Sequence, residues 1–215
     1  TRDFARARVL ALQLHSLNTE RRLLTEQVFK GALALIERDP ALLEEAALVL
    51  AHPAWPGGVV GIVASRLVER YQRPVILLTT PDGEAARGSA RSVDGVDITA
   101  AIAAQGDLLL GFGGHARAAG LSLHPAHIPE FRRRLSRTLR ASFGEAPAVP
   151  PLQIDAYLTL DQVNLDLAEG LERLAPFGAG NPPPVLVCRG LSLRSQSLLG
   201  RSGEHLQLTV EDEAG

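Results

Sequence analysis

Short apolar runs alternate with amphipathic stretches in the middle of the chain, and this alternation constrains the fold most. The apolar runs at 46–51 and 74–78 have the length of strands, and residues 58–71 between them have helical periodicity. A second amphipathic stretch covers 128–143. Strands that alternate with helices form a sheet covered by helices. The sequence therefore predicts an α/β domain in which a mixed sheet is flanked by helices.

A long helix is predicted before this domain, over residues 3–38. Leucines such as Leu10, Leu14 and Leu17 recur there at roughly helical spacing, no proline interrupts the segment, and Asp39-Pro40 ends it. A helix of this length is on the order of 50 Å long. It suits a connector between two lobes, and a bundle helix is an equal alternative.

A proline- and alanine-rich break at 146–151 predicts a linker. Strand-like segments follow at 154–160, 185–197 and 205–211, together with a predicted helix at 161–174. These segments indicate the opening part of a β-rich module. The predicted organisation is a connecting helix over 1–40, an α/β domain over 41–146 and a truncated β module over 147–215.

Bulk charge does not mark the chain as a nucleic-acid binder, because 22 basic residues nearly cancel 24 acidic ones. The charge is uneven, however. Residues 1–150 hold 18 basic and 15 acidic side chains, a net of +3, whereas residues 151–215 hold 4 and 9, a net of −5. A site for a polyanion is therefore expected in the larger part.

The single cysteine, Cys188, excludes an internal disulfide framework and a multi-cysteine zinc site, and it is predicted to be buried. No apolar run approaches the roughly 20 residues of a membrane span, so we expect no membrane association and a cytoplasmic setting. The chain contains no methionine and starts at Thr1, which indicates a fragment.

The densest candidate site is the glycine-rich segment at 111–120. Residues 111–116 formally fit G-x-G-x-x-A, but no long helix follows, so a dinucleotide fingerprint is discarded. Gly113 and Gly114 instead let the backbone approach a ligand and present N–H groups to a phosphate, with His115 and Arg117 as further donors. The alternative is a tight structural turn with a hydrogen-bonded histidine.

A second candidate lies at 87–92, Arg-Gly-Ser-Ala-Arg-Ser. On a strand, Arg87, Ser89 and Arg91 point to the same face. A hydroxyl between two guanidiniums makes a plausible phosphate clamp, because arginine offers forked donors to paired oxygens. A solvated edge strand is the alternative.

Trp55 precedes a glycine-rich entry to the predicted helix at 58–71. This residue is a candidate for stacking on a base, although packing in the core is the favoured interpretation. No G-K-[ST] follows, so the entry is not a nucleotide P-loop. The favoured role of these glycines is close packing of the helix against the sheet.

An arginine run from Arg132 to Arg140 predicts a solvated helix face more than a surface that binds a nucleic-acid backbone. His52, His124 and His127 are too scattered for a metal site, and no cluster of carboxylates is present. No complete catalytic centre is therefore predicted.

Taken together, the motifs resemble the RecJ exonuclease family of the DHH phosphoesterase superfamily. Residues 17–22, Leu-Asn-Thr-Glu-Arg-Arg, are similar to the helix that leaves the family's DHH domain. Three further segments, 55–65, 88–92 and 113–120, are similar to parts of its DHH-associated domain. The family's OB-fold domain is similar to segments 176–184 and 203–206. The Gly-Gly-His motif is shared with oligoribonucleases and cyclic-dinucleotide phosphodiesterases, and the OB-like continuation selects the exonuclease family.

The resemblance implies a 5′→3′ exonuclease that acts on single-stranded DNA in repair and recombination. It implies two divalent metals, Mn²⁺ or Mg²⁺, held by a DHH domain upstream of Thr1, so these residues alone are expected to be inactive. Single-strand-binding protein and recombination proteins are the protein partners that it implies. A related oligoribonuclease or cyclic-dinucleotide phosphodiesterase, or a non-catalytic binding module, is the alternative.

The resemblance also assigns roles to the candidate residues. Ser89 and Arg91 would grip the terminal phosphate region of the strand. Gly113, Gly114 and His115 would lie close to the nucleotides being cut, with His115 supporting catalysis.

Overall fold

The computed structural model describes residues 3–143, 152–178, 180–200 and 205–212. The chain divides into two compact units, Thr1–Val149 and Pro150–Gly215. The first unit holds a long helix and a mixed sheet flanked by helices, and the second holds short β-sheets. The predicted order of architectures is confirmed. The predicted linker at 146–151 lies outside the described residues.

Helix α1, Phe4–Arg38, confirms the predicted long helix. The Asp3 side chain caps it by accepting a hydrogen bond from the Arg6 N–H at 3.1 Å. The leucines whose spacing predicted the helix, Leu10, Leu14 and Leu17, are exposed in its first half. A buried face begins only at Thr25, because within the described residues the sheet and its helices pack against the second half alone.

A five-stranded sheet forms the centre of the first unit, in the order β1-β2-β3-β5-β4. Strands β1 and β2 are parallel, and every other pair is antiparallel, so the sheet is mixed. The strands are β1 Leu48–His52, β2 Val75–Thr79, β3 Ala86–Arg91, β4 Leu109–His115 and β5 Ala118–Leu123.

Helices cover both faces of this sheet. Helix α2, Gly57–Tyr71, and the second half of α1 bury one face, where Leu48 and Leu77 lie in their core. Helices α3, Ile98–Ala103, and α4, Ile128–Phe143, bury the opposite face. The near-continuous apolar run of β2 follows from this, because alternate residues of a strand enter the two cores.

One sequence-based expectation fails in this unit. Strand β4 covers the glycine-rich segment, for which no strand was predicted. In the arginine run on α4, Arg133, Arg137 and Arg140 are exposed, as predicted for a solvated face. Arg132 instead donates to the Val49 carbonyl at 2.8 Å, and Arg134 makes a two-pronged pair with Asp107 at 2.7 and 2.8 Å. These last two arginines fasten α4 to the rest of the unit.

In the second unit, the described residues form two small sheets and one α-helix. Strands β6, Ala156–Leu158, and β7, Leu186–Cys188, are parallel, and β8, Ser192–Leu199, pairs antiparallel with β9, His205–Glu211. Helix α5 spans Leu165–Glu172. The single strand predicted at 185–197 is two strands, because Gly190 turns the chain with a φ of 69°. Cys188 is half-buried rather than buried.

Among the described residues, no helix combines the length and the apolar character that crossing a membrane requires.

Candidate functional site

Most of the predicted site residues lie on one face of the sheet. The register of β3, β5 and β4 places residues in three cross-strand rows, and directly opposite residues share a face. The rows are Arg87–Ser122–Gly111, Ser89–Gly120–Gly113 and Arg91–Ala118–His115. We call this face of the three strands the open face. The predicted common face of Arg87, Ser89 and Arg91 is confirmed.

Strand β3 is a central strand, since β2 and β5 flank it. The alternative of a solvated edge strand at 87–92 is therefore wrong. Opposite Ser89 and Arg91 on β2 stand Leu77 and Val75, which belong to the core under α1 and α2. The polar residues of β3 thus begin where that apolar core ends.

Bare backbone forms the floor of the open face over β5 and β4. Gly113 and Gly120 are exposed, and a Cβ atom added at Gly113 would have no heavy atom within 4 Å. Together with Gly111, beside which the Ser122 hydroxyl lies, they leave a strip of main chain without side chains of its own, which we call the glycine trough. A shallow depression of about 530 Å³ is lined by Gly111 and Gly120 of the trough, together with Arg87 and Ser122. A ligand can therefore approach the peptide groups directly.

Helix α2 approaches strand β3 at Gly61. A Cβ atom at Gly61 would lie 2.8 Å from Arg91 Nη2 and 3.4 Å from Ser89 Oγ. The guanidinium and the hydroxyl therefore lie side by side against the second turn of α2. Close glycine packing of this helix against the sheet is confirmed at Gly61, whereas Gly57 and Gly58 face open space.

Most N–H donors of the Arg91 guanidinium have no partner among the described residues. Its Nη1 donates to the Ala90 carbonyl at 2.8 Å, and within the described part of the chain no carboxylate lies within 4 Å of its guanidinium. This contrasts with Arg134, whose pairing with Asp107 holds the pKa of that carboxyl below its usual value. Since a guanidinium carries five N–H donors, Arg91 retains capacity for an anion.

A cleft of about 280 Å³ adjoins Arg91 at the end of β3. Arg117 and Ser65 add donors to its lining, and Glu69 adds a carboxylate. Arg117 forms an ion pair with Asp94, and both side chains are largely exposed. The cleft therefore carries two guanidiniums, one of which already has a partner.

Gly114 occupies a position that excludes any side chain. Its φ is 157°, and an added Cβ would lie 2.3 Å from the Ala118 carbonyl oxygen and 2.5 Å from Ala119 Cα. The motif Gly113-Gly114-His115 thus forms the end of strand β4, and the tight turn follows it at Ala116 and Arg117. The tight turn of the structural alternative therefore lies within the glycine-rich segment but after the motif, and the role of His115 stays a prediction.

The hairpin end carrying His115 is held by three hydrogen bonds from outside the hairpin. Thr99 Oγ1 donates to the His115 carbonyl at 2.9 Å, and the backbone N–H groups of Ile98 and Ser92 donate to the carbonyls of Ala116 and Arg117, each at 3.0 Å. The imidazole itself is exposed and hydrogen-bonds to none of the described residues. It is therefore free to contact a ligand.

The structure does not bring Trp55 to the open face. The indole is 6% exposed, lies in the core under α1 and α2, and stacks on His52 with ring centroids 5.5 Å apart. Its other neighbour is Gly31 of α1, where an added Cβ would lie 3.5 Å from Trp55 Nε1. This placement matches the favoured packing interpretation and leaves little indole surface for a base.

Sequence reasoning missed the contributions of Gly61 as a neighbour of the clamp and of Gly120 as part of the trough. Both carry a readable signal, because glycine inside a helix or a strand costs stability and so indicates a close approach. Nowhere in the described ranges do three or more His, Cys, Asp or Glu side chains come together as a ligand set.

Comparison with known protein families matches both units. A model described as the DHHA1 domain matches residues 44–141, and one described as the RecJ OB domain matches residues 154–214. The first covers the sheet and the open face, and the second covers β6 to β9. Of the segment at 203–206 that carried the OB-fold resemblance, Gly203 and Glu204 lie outside the described residues.

Curated relatives match along the whole chain but extend far beyond it. The protein named single-stranded-DNA-specific exonuclease RecJ in Bacillus subtilis is 31% identical over 213 residues, which are 99% of this chain and 27% of that protein. The protein of that name in Dickeya dadantii is 35% identical over 219 residues, 99% of this chain and 38% of its own. The chain thus spans well under half the length of these relatives.

Solved structures give the same result. RecJ from Thermus thermophilus in complex with Mn²⁺ superimposes with a TM-score of 0.78 at 33% identity, over 98% of this chain and 30% of that one. The complex of the same protein with Mg²⁺ gives a TM-score of 0.75 at 32% identity, over 98% of this chain and 32% of that one.

Proposed function

Because the chain belongs to the RecJ family, we propose that it forms the substrate-holding part of a 5′→3′ exonuclease specific for single-stranded DNA. The observation that carries this proposal is the guanidinium of Arg91, beside the Ser89 hydroxyl and next to a trough of bare backbone. Guanidinium, hydroxyl and backbone N–H groups are the donors that proteins use to hold phosphates.

In this proposal the 5′-phosphate of the strand binds at Arg91 and Ser89, which we call the clamp. A terminal phosphate carries more negative charge than an internal phosphodiester, so the gain from a charge-assisted hydrogen bond is greatest at the strand end. Arg87, one row further along the same strand face, and Arg117 in the adjoining cleft add positive charge on either side of the clamp. The clamp therefore selects the end of a strand.

The strand then crosses β5 and β4 over the glycine trough. Ser89 and Gly113 are two strand spacings apart, about 9–10 Å, so the motif residues meet the chain just beyond its end. Gly113 lets the sugar–phosphate backbone lie against the sheet without a Cβ between them, and Gly114 lets the end of β4 pack closely against β5 beside it. His115 offers an imidazole that donates to a phosphate oxygen near the bond that is cut. Trp55 takes no part, because it is buried.

In this proposal the catalytic metals bind outside residues 1–215. The family resemblance places Mn²⁺ or Mg²⁺ in a DHH domain, and the described residues do not make a ligand set. Residues 1–215 by themselves are therefore expected to hydrolyse no DNA. A role in DNA repair and recombination, a cytoplasmic location, and contacts with single-strand-binding and recombination proteins follow from the resemblance alone and are part of the proposal.

The test compares Arg91→Ala with Arg133→Ala in the intact protein. Arg133 is an exposed arginine on α4, which covers the opposite face of the sheet, so its removal deletes the same charge away from the open face. We expect Arg91→Ala to lower kcat/KM for a 5′-phosphorylated single strand about tenfold or more, as for the loss of a charge-assisted hydrogen bond. The same variant should affect a 5′-hydroxyl strand much less, and Arg133→Ala should affect neither.

If Arg91→Ala and the wild type have equal kinetics on the 5′-phosphorylated and the 5′-hydroxyl strand, Arg91 does not bind the 5′-phosphate and the proposal is wrong. Faster cleavage of short RNA or of a cyclic dinucleotide than of single-stranded DNA would favour the related phosphodiesterases. Strand binding without any cleavage would favour a non-catalytic module.

A further inference from the structure

The helix that contains Gly61 does not itself require a glycine at this position. Gly61 is the fifth residue of the 15-residue helix α2, in its interior, where glycine is less favourable than alanine. The neighbouring Gly57 and Gly58 stand at the start of the helix and have no heavy atom within 4 Å of an added Cβ. Gly61 alone of the three has a close neighbour, and that neighbour is the clamp.

Arg91 Nη2 occupies the space that a side chain at Gly61 would take, and Ser89 Oγ borders that space. The added Cβ would lie 2.8 Å from Arg91 Nη2, closer than Cβ atoms approach other heavy atoms, and 3.4 Å from Ser89 Oγ. The close atom is the far end of a flexible side chain and not a backbone atom. An added methyl group would therefore displace the guanidinium and leave the helix and the sheet in place.

We propose that Gly61 is a positioning residue that sets where the Arg91 guanidinium lies, and thereby sets the preference for strands with a 5′-phosphate. The helix backbone bounds the guanidinium on one side, and the hydrogen bond from Arg91 Nη1 to the Ala90 carbonyl at 2.8 Å holds it on the other. With both limits in place, Nη2 stays next to the Ser89 hydroxyl, and one phosphate can accept from both groups. This inference rests on the proposed function.

The experiment is a double-mutant cycle in the intact protein with Gly61→Ala, Arg91→Ala and the combination. The matched control is Gly58→Ala, which adds the same methyl group to the same helix in open space. The readouts are kcat and KM on one single-stranded oligonucleotide with either a 5′-phosphate or a 5′-hydroxyl, together with the melting temperature of each variant.

We expect Gly61→Ala to raise KM for the phosphorylated strand about tenfold, as for one weakened charge-assisted hydrogen bond. Its kcat should change little, and its effect on the hydroxyl strand should be much smaller. Its melting temperature should be unchanged or higher, because alanine favours the helix. In the Arg91→Ala background the same methyl group meets no guanidinium and should change the phosphate preference no further.

The outcomes separate the two proposals. If Arg91→Ala lowers the preference for 5′-phosphate and Gly61→Ala does not, the positioning role is overturned and the clamp stands. If Arg91→Ala changes nothing, the clamp itself is overturned. If Gly61→Ala lowers the melting temperature, recovery in the double variant supports the contact with Arg91, and no recovery overturns it.

Discussion

Replacing Gly114 by alanine should destabilise the first unit by about 3 kcal/mol or more, the range for overpacking combined with a strained backbone. The added Cβ would meet the Ala118 carbonyl oxygen at 2.3 Å and Ala119 Cα at 2.5 Å. Both are backbone atoms of the paired strand β5, so neither can move without opening the β4–β5 ladder. The φ of 157° adds a conformation that alanine rarely adopts.

The neighbouring Gly113 provides a matched substitution. Alanine at this position would place its Cβ in open space, and φ of Gly113 is not positive. Since alanine in a strand is more favourable than glycine by roughly 0.5–1 kcal/mol, Gly113→Ala should be as stable as wild type or slightly more so. Its methyl group would, however, rise from the floor of the glycine trough and separate a bound strand from the backbone.

Thermal unfolding followed by circular dichroism distinguishes the two variants. For a unit of this size, 3 kcal/mol corresponds to a fall in melting temperature of about 6–12 °C. We expect that fall for Gly114→Ala, and for Gly113→Ala an unchanged melting temperature with weaker binding of single-stranded DNA. A normal melting temperature for Gly114→Ala, or a large fall for Gly113→Ala, would contradict the assignment of these glycines to the two sides of β4.

Two further predictions concern single side chains. His115→Ala should reduce turnover far more than melting temperature, because the imidazole is exposed and bonds to none of the described residues; a parallel loss of both would indicate a structural role. Asp107→Asn should lower the melting temperature at neutral pH but not in acid, because Arg134 lowers the pKa of Asp107 in the folded protein. The stabilisation by the ionised Asp107 is present above its unfolded pKa of about 3.9 and disappears as pH falls through its folded pKa. A difference in melting temperature between the variant and the wild type that persists in acid would contradict this.

The amphipathic helices were readable from the sequence because their signals are local. Periodic apolar residues mark α2 and α4, and α4 spans the predicted residues 128–143. The common face of Arg87, Ser89 and Arg91 was also predictable, since it follows from the two-residue period of a strand.

What the sequence did not reveal depends on residues distant in the chain. Strand β4 contains three glycines and no alternating pattern, so its extended form comes from pairing with β5. The pairing of Arg134 with Asp107 bridges 27 residues, and the contact between Gly61 and Arg91 joins a helix to a strand two elements later. Local patterns carry no information on such partners. For this reason the sequence predicts the common face of Ser89 and Arg91 but not their contact with Gly61.

The three hydrogen bonds that hold the end of the β4–β5 hairpin also bear on the thermodynamics of binding. Thr99, Ile98 and Ser92 fix the carbonyls of His115, Ala116 and Arg117 before any ligand arrives. A loop that must be ordered during association loses conformational entropy, which weakens the complex. Here that loss has already occurred during folding, so the hairpin can meet a strand as a preorganised surface.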